Sequence, residues 1–198
     1  MKLGKYSIGV GDRFTHQGKA QLRAIMKANE TGLGISPVWN KSNREHIYVG
    51  TVPADTRREA DEAVKAVNYT GLYFGDADHI NIDTVSKYVE SSDFFTLDVA
   101  AFIGKESNKE DVDVFISSCE KYIGELQLPG MSEPLHVTEE LLRSIAGKFV
   151  AATQQASEIY ADLKNEKGAG NFITEVSMDD VESPQTPVEL LFILQMLA

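Results

Sequence analysis

Apolar residues in this chain fall into short strand-like runs, separated by stretches in which burial recurs every three or four positions. Tyr6-Ser7-Ile8-Gly9-Val10-Gly11 predicts a first strand that ends in glycines. Thr15 then predicts the N-cap of a helix from His16 to about Asn29, with Ala20, Leu22, Ala24, Ile25 and Ala28 along one face. Gly34 to Trp39 predicts a second strand running into a polar loop, Asn40 to Glu45, and Ile47 to Val52 a further short strand. Thr56-Arg57-Arg58-Glu59 matches a capping box, and the helix it opens reaches about Val67 with Ala60, Ala63, Val64 and Val67 inward.

The next run, Leu72-Tyr73-Phe74-Gly75-Asp76-Ala77-Asp78-His79-Ile80, begins aromatic and ends ionisable. Strand alternation puts Phe74, Asp76 and Asp78 on one face, and a helical segment from Asp83 to Val89 follows. Asp93 to Val99 predicts a fourth sheet strand, on which Thr96 and Asp98 share a face. Asn108 predicts the start of a helix to about Leu126, buried through Val112, Phe115, Ile116, Cys119 and Ile123. A loop from Leu128 to His136 leads to the longest helix, from Thr138 to about Lys164, and Gly168-Ala169-Gly170 closes it. Asn171 to Ser177 predicts a fifth strand. Thr186-Pro187-Val188-Glu189 is a strong helix start, with an N-cap, a proline at the first helical position and a glutamate at the third. The run Leu190 to Ala198 that follows is apolar on nearly every side and has no closing signal, which is the expectation for a chain truncated at its C-terminus.

Strands alternating with helices predict an α/β fold with a parallel sheet and crossover helices. A doubly wound sheet and part of a TIM-type (β/α) barrel both fit. Ionisable groups recur beyond the strand ends, at Asp12, Asp78-His79, Asp98, and Glu175 with Asp179-Asp180. A barrel gathers such positions at one mouth, whereas an open sheet spreads them along an edge, so the partial barrel is preferred. Residues 1–198 then form a single α/β domain, the N-terminal portion of a larger barrel. Its open edges also allow pairing with a second copy, a homo-oligomer.

Composition narrows the function. The 198 residues are 42% hydrophobic and 25% charged, ordinary for a globular protein. The net charge of −11 disfavours nucleic acid and anionic membrane as partners. A single cysteine, Cys119, excludes an internal disulfide and a Cys-rich zinc site, and its helical setting predicts a packed thiol. No signal peptide or spanning segment is evident, so the expected compartment is cytoplasmic.

Acids and an imidazole at the carboxyl end of a strand are the usual furniture of a β/α active site, while a polar turn capped by Asp83 is the plainer alternative. Asp12 and Arg13 at the end of the first strand are site candidates, with surface turn residues as the alternative. Lys41 and Arg44 in the polar loop are candidates to hold an anionic group of a small substrate, with solvated loop charges as the alternative. Gly9-Val10-Gly11 begins a dinucleotide fingerprint, but Phe14 occupies the third glycine position. His16, His46 and His136 read as structural or exposed.

Three stretches, Ser7 to Phe14, Asp76-Ala77-Asp78-His79-Ile80 and Ser92 to Ala100, together resemble the tagaturonate epimerase family along the whole chain, over the N-terminal part of that family's barrel. The resemblance implies a metal-dependent epimerase interconverting D-tagaturonate and D-fructuronate in bacterial hexuronate breakdown. It implies Asp78 as proton acceptor and His79 as a ligand of a divalent metal cation, zinc or a first-row transition metal. Glu175 is the candidate proton donor, with Asp179 or Asp98 as substitutes, and Asp76 joins Asp12, Arg13 and Lys41 as substrate-binding candidates. The two sugars differ at the third carbon from the carboxylate, whose hydroxyl is β to the ketone, so retro-aldol cleavage and re-addition would invert it without a redox cofactor. The remaining metal ligands would lie beyond Ala198. A metal-dependent aldolase or isomerase of another sugar acid, and a non-catalytic sugar-acid binding half-barrel, are the alternatives.

Overall fold

The computed structural model describes residues 1–179 and 184–198, and these fall into two compact units. The first comprises Met1–Asp98 and Ile159–Ser177. Its centre is a five-stranded parallel sheet of β1 (Tyr6–Gly11), β2 (Ile35–Ser42), β3 (Phe74–Ile80), β4 (Phe94–Asp98) and β7 (Ile173–Ser177). The strands pair in the order β1-β2-β3-β4-β7, each beside its sequence neighbour in the sheet, with no reversal of direction along the edge. That unbroken winding is the arrangement of part of a β/α barrel, not of a doubly wound sheet.

Helices α1 (Gly18–Asn29) and α3 (Pro53–Ala66) cover one face of this sheet. Leu22, Ala60 and Ala63 close over Trp39 of β2, all buried, and the Trp39 ring meets Tyr73 edge-on at 6.3 Å. On the opposite face Val38, Phe74 and Phe94 form a small apolar floor, with Ile173 partly buried against it. Phe95 packs edge-on against Phe172 at 5.9 Å, and Tyr160 lies beside the same ring.

The second unit comprises Val99–Glu158 and Met178–Ala198. It contains α4 (Lys109–Cys119), an antiparallel pair of short strands, β5 (Gly124–Leu126) and β6 (Leu135–Val137), most of α5 (Glu139–Lys167), and α6 (Pro187–Leu197). Phe192 is fully buried between Phe115 and Tyr122, and Cys119 lies in the same core as a buried thiol. The Thr186–Glu189 capping box opens α6 as its sequence indicates, while Leu190, Leu194 and Leu197 stay exposed. Among the described residues no helix is long and apolar enough to cross a membrane.

Several local expectations are corrected. Thr15 does not cap α1; the Asp12 carboxylate takes the amides of Phe14, His16 and Gln17 instead, and the helix starts at Gly18. Strand β2 runs on through Asn40 and Lys41 to Ser42, where a loop was expected. Ile47 to Val49 belongs to a helix, α2 (Asn43–Val49), because Ser42 and Glu45 make a reciprocal cap that outweighs the β propensity of Ile47 and Val49. Helix α3 starts a turn early, at Pro53, with Asp55 accepting the Val52 amide; Thr56 is buried within it. The helix expected over 83–89 is a single 3-10 turn, Val85–Lys87. Helix α4 stops at Cys119, so Ile123 is exposed and Leu126 joins β5. His136, expected in a loop, lies on β6, and α5 extends to Lys167.

Candidate active site

Residues paired across a parallel sheet share a face, so the register sorts the polar side chains. Val38 pairs with Phe74, Asn40 with Asp76 and Ser42 with Asp78. Thr96 pairs with Glu175 and Asp98 with Ser177. On the face away from α1 and α3 the strands therefore change from an apolar floor to a polar layer as they approach their carboxyl ends. The layer holds Asn40, Ser42, Asp76, Asp78, Thr96, Asp98, Glu175 and Ser177, four carboxylates and no cation. Gly9 and Gly11 of β1 lie against the Asn40 side chain, and a β-carbon on Gly11 would crowd its Oδ1 at 3.2 Å.

Asp76 lies deepest among these acids. It is buried, and the Thr96 hydroxyl donates to its two oxygens at 3.1 and 3.3 Å. Burial, and then the neighbouring charge of Asp78, push the Asp76 carboxyl up to about 8; the Thr96 hydrogen bond pulls the other way, and Glu175 adds further repulsion. Tyr88, fully buried behind the end of β3, has its phenol held well above the usual range by burial and by the same two aspartates.

At the rim, the His79 Nδ1 stands 2.9 Å from the Asp78 carboxylate. An ionised carboxylate only accepts, so this contact favours a proton on Nδ1. His79 has a left-handed backbone, φ 50°, and the β3–β4 register slips between Ala77 and Ile80. Such an irregularity re-aims side chains at a strand end, which is how adjacent residues of a strand come to work as a pair. Half-buried Asp78 and exposed His79 thus stand together at the mouth.

The other candidates lie elsewhere. Lys41 points to the helix-covered face and is buried there, its ammonium donating to the Arg13 carbonyl at 2.8 Å. Burial lowers its pKa, against the attraction of Glu59 and Asp12. Asp12 is held below the usual carboxylate range: burial would raise it, but the Gln17 amide, the Glu59 side chain and the His16 and Phe14 amides outweigh that. The Arg13 side chain is exposed and reaches Glu45 at 3.4 Å. Glu175 is exposed in the middle of β7 and Asp98 is half-buried at the end of β4, while Asp179 lies in the second unit and Asp180 falls outside the described residues. Buried His46 binds Thr51 through Nδ1, and burial depresses its pKa to about 4.

Sequence reasoning missed Asn40, Ser42 and Glu59. The first two were visible as the continuation of the Val38 alternation into a stretch whose polarity resembles a loop. Glu59 was visible only as a capping glutamate; it is buried instead, accepts the Gly18 amide at 2.8 Å and, by burial and its contact with Asp12, is pushed up to about 7.

Among the described residues no three His, Cys, Asp or Glu side chains come together as a metal-binding group. The Asp78–His79 pair does fit one ligand position: a carboxylate that accepts Nδ1–H fixes the tautomer and basicity of an imidazole that ligates through Nε2.

Comparison with known proteins agrees with the winding. The chain is 28% identical over 203 residues to the tagaturonate/fructuronate epimerase of Thermotoga maritima, covering 96% of this chain and 40% of that protein. Crystal structures of a fructuronate-tagaturonate epimerase from Cohnella laeviribosi share its fold. The form with two glycerols superposes with a TM-score of 0.78 at 20% identity, covering 100% of this chain and 42% of that one. The native form gives 0.75 at 21%, covering 97% and 41%. The chain thus spans about two fifths of the length of the relatives it matches. A sequence profile of the tagaturonate epimerases matches residues 1–198 throughout, and the chain belongs to that family.

Proposed function

We propose that this chain forms the N-terminal part of a metal-dependent epimerase that interconverts D-tagaturonate and D-fructuronate. The observation that carries the reading is the Asp78–His79 pair, 2.9 Å apart at the irregular end of β3, above a layer of acids on one sheet face. The substrate's configuration changes at a carbon whose proton neither the ketone nor the carboxylate acidifies, so enolisation alone does not invert it. Its hydroxyl, however, is β to the ketone. Removing that hydroxyl proton lets the bond between this carbon and the α-carbon break; its electrons move into the α-carbon and ketone. The aldehyde so released rotates, and re-addition from its other face restores the bond with inverted configuration.

Asp78 takes the hydroxyl proton, through a carboxylate oriented by His79. Glu175, exposed across the layer on β7, returns a proton to the new alkoxide. Deeper in the layer, Asp76 is held neutral near neutral pH and keeps the acid charge beside Asp78 from rising further. When bound, a divalent metal supplies Lewis-acid stabilisation of the charge that develops at the ketone. His79 offers it one ligand, and the others come from the length of the family that this chain does not span. The polar layer binds the sugar hydroxyls through Asn40, Ser42 and Thr96.

Product analysis tests this directly. Incubated with D-tagaturonate and a panel of other ketouronates, a protein carrying this chain at its relatives' full length should yield D-fructuronate with conserved carbon skeleton. Net release of two three-carbon fragments would identify an aldolase instead, and unaltered binding of sugar acid with no product would identify a binding protein.

A further inference from the structure

The polar layer has a problem of charge. Its four acids face a substrate that is itself a carboxylate, and none of its side chains is basic. A cationic side chain near the mouth would take that carboxylate and offset the repulsion from the ionised acids. Lys41 lies on the wrong face and is buried. Arg13 does not. It stands just past the end of β1, in a turn fixed from three sides. Lys41 holds its carbonyl at 2.8 Å, Asp12 takes the amides that follow, and Gln21 holds the preceding Gly11 carbonyl at 2.9 Å.

The side chain is presented as carefully as the backbone. Its Nε meets Glu45 at 3.4 Å, and Glu45 in turn is held by the amide and hydroxyl of Ser42 at 3.3 Å. Ser42 is the register partner of Asp78. The side chain is otherwise 55% exposed, and among the described residues its contact is through Nε alone, leaving the two terminal nitrogens of the fork available. Strand spacing places the β1 and β3 axes roughly 10 Å apart, a gap that an arginine side chain and a six-carbon sugar acid bridge together. A fork of free N–H donors at that distance matches a carboxylate in both charge and geometry.

We propose that Arg13 is the specificity-determining residue of this site, binding the substrate's carboxylate and so setting the inverted carbon beside Asp78. Lys41 and Glu45 are positioning residues, one for its backbone and one for its side chain. The inference rests on the sugar-acid reading above and names the group that selects an acid over a neutral sugar.

The test compares the KM for D-tagaturonate with the inhibition constant of the corresponding neutral ketohexose, in a protein carrying this chain at its relatives' full length. Replacing exposed Arg13 (R13Q) should raise that KM about tenfold to a hundredfold, the usual worth of a charge-assisted hydrogen bond, with kcat little changed. The neutral ketohexose should inhibit as before, and R13K should fall between R13Q and the parent. An unchanged KM in R13Q, a KM and inhibition constant that rise together, or the same KM effect from R44Q in place of R13Q, overturns the inference. A parent that inverts no sugar acid at all overturns the functional reading, and this inference falls with it; an active parent matched by R13Q overturns this inference alone.

Discussion

The Thr96 hydroxyl donates to the Asp76 carboxylate at 3.1 Å, across from β4 to β3, inside the buried layer beneath Asp78. The bond holds in place an acid that burial has made unwilling to ionise. In the folded protein Asp76 keeps its proton up to about pH 8, while in the unfolded chain it gives it up near the ordinary value of 3.8. Between those limits the folded state binds the extra proton, so each rise in pH favours unfolding. The stability from this group is full below the unfolded value and is lost as pH climbs through the folded one. Buried Glu59, pushed up to about 7, acts in the same sense.

Asp76→Asn should therefore flatten the fall of thermal stability with rising pH. Thr96→Val should steepen it, because the hydrogen bond it removes favours the ionised form, and Thr96→Ser should resemble the parent. Unfolding midpoints across the pH range measure this; an unchanged slope in D76N would contradict the burial argument.

Glu59 makes a second, steric prediction. A β-carbon on Gly18 would stand 2.8 Å from Glu59 Cγ, inside any real contact, at the point where Glu59 accepts the Gly18 amide. Gly18→Ala should cost about 1–3 kcal/mol through overpacking. Gly147, exposed in the middle of α5 with nothing within 4 Å of an added β-carbon, should behave oppositely. There alanine should gain about 0.5–1 kcal/mol by helix propensity. Denaturant titration of the two variants compares the signs.

The metal proposal predicts that His79→Ala lowers affinity for zinc by more than the about 10–100-fold that loss of an outer partner costs. Equilibrium dialysis followed by elemental analysis reads this independently of turnover. Metal content equal to the parent's would remove His79 from the ligand set.

Much of the scaffold was legible because its signals are local. The apolar runs of β3 and β4 and the Thr-Pro-Val-Glu start of α6 need no tertiary context. The errors came where packing overrode composition. Asn40-Lys41-Ser42 is polar enough to pass for a loop, yet it continues β2: Asn40 and Ser42 enter the acid layer, and Lys41 finds carboxylates and a carbonyl under the helices. Ile123 and Leu126 keep helical spacing beyond Cys119, but a 3-10 turn and the β5–β6 pairing take over there. In the candidate site, Asp78 and His79 stood out as residue types at a strand end. What no sequence pattern revealed was depth: that Asp76 is buried against Thr96, and that Arg13 is backed by a buried lysine.

The most direct measurement is sugar inversion by the Asp78→Asn variant of the full-length protein. The amide keeps the shape of the side chain and removes the base. D-tagaturonate should then convert to D-fructuronate about 100- to 10,000-fold more slowly, with the fold unchanged by circular dichroism. Conversion at the parent's rate would show that the proton leaves by another route and that the acid–imidazole pair of β3 is not the catalytic centre.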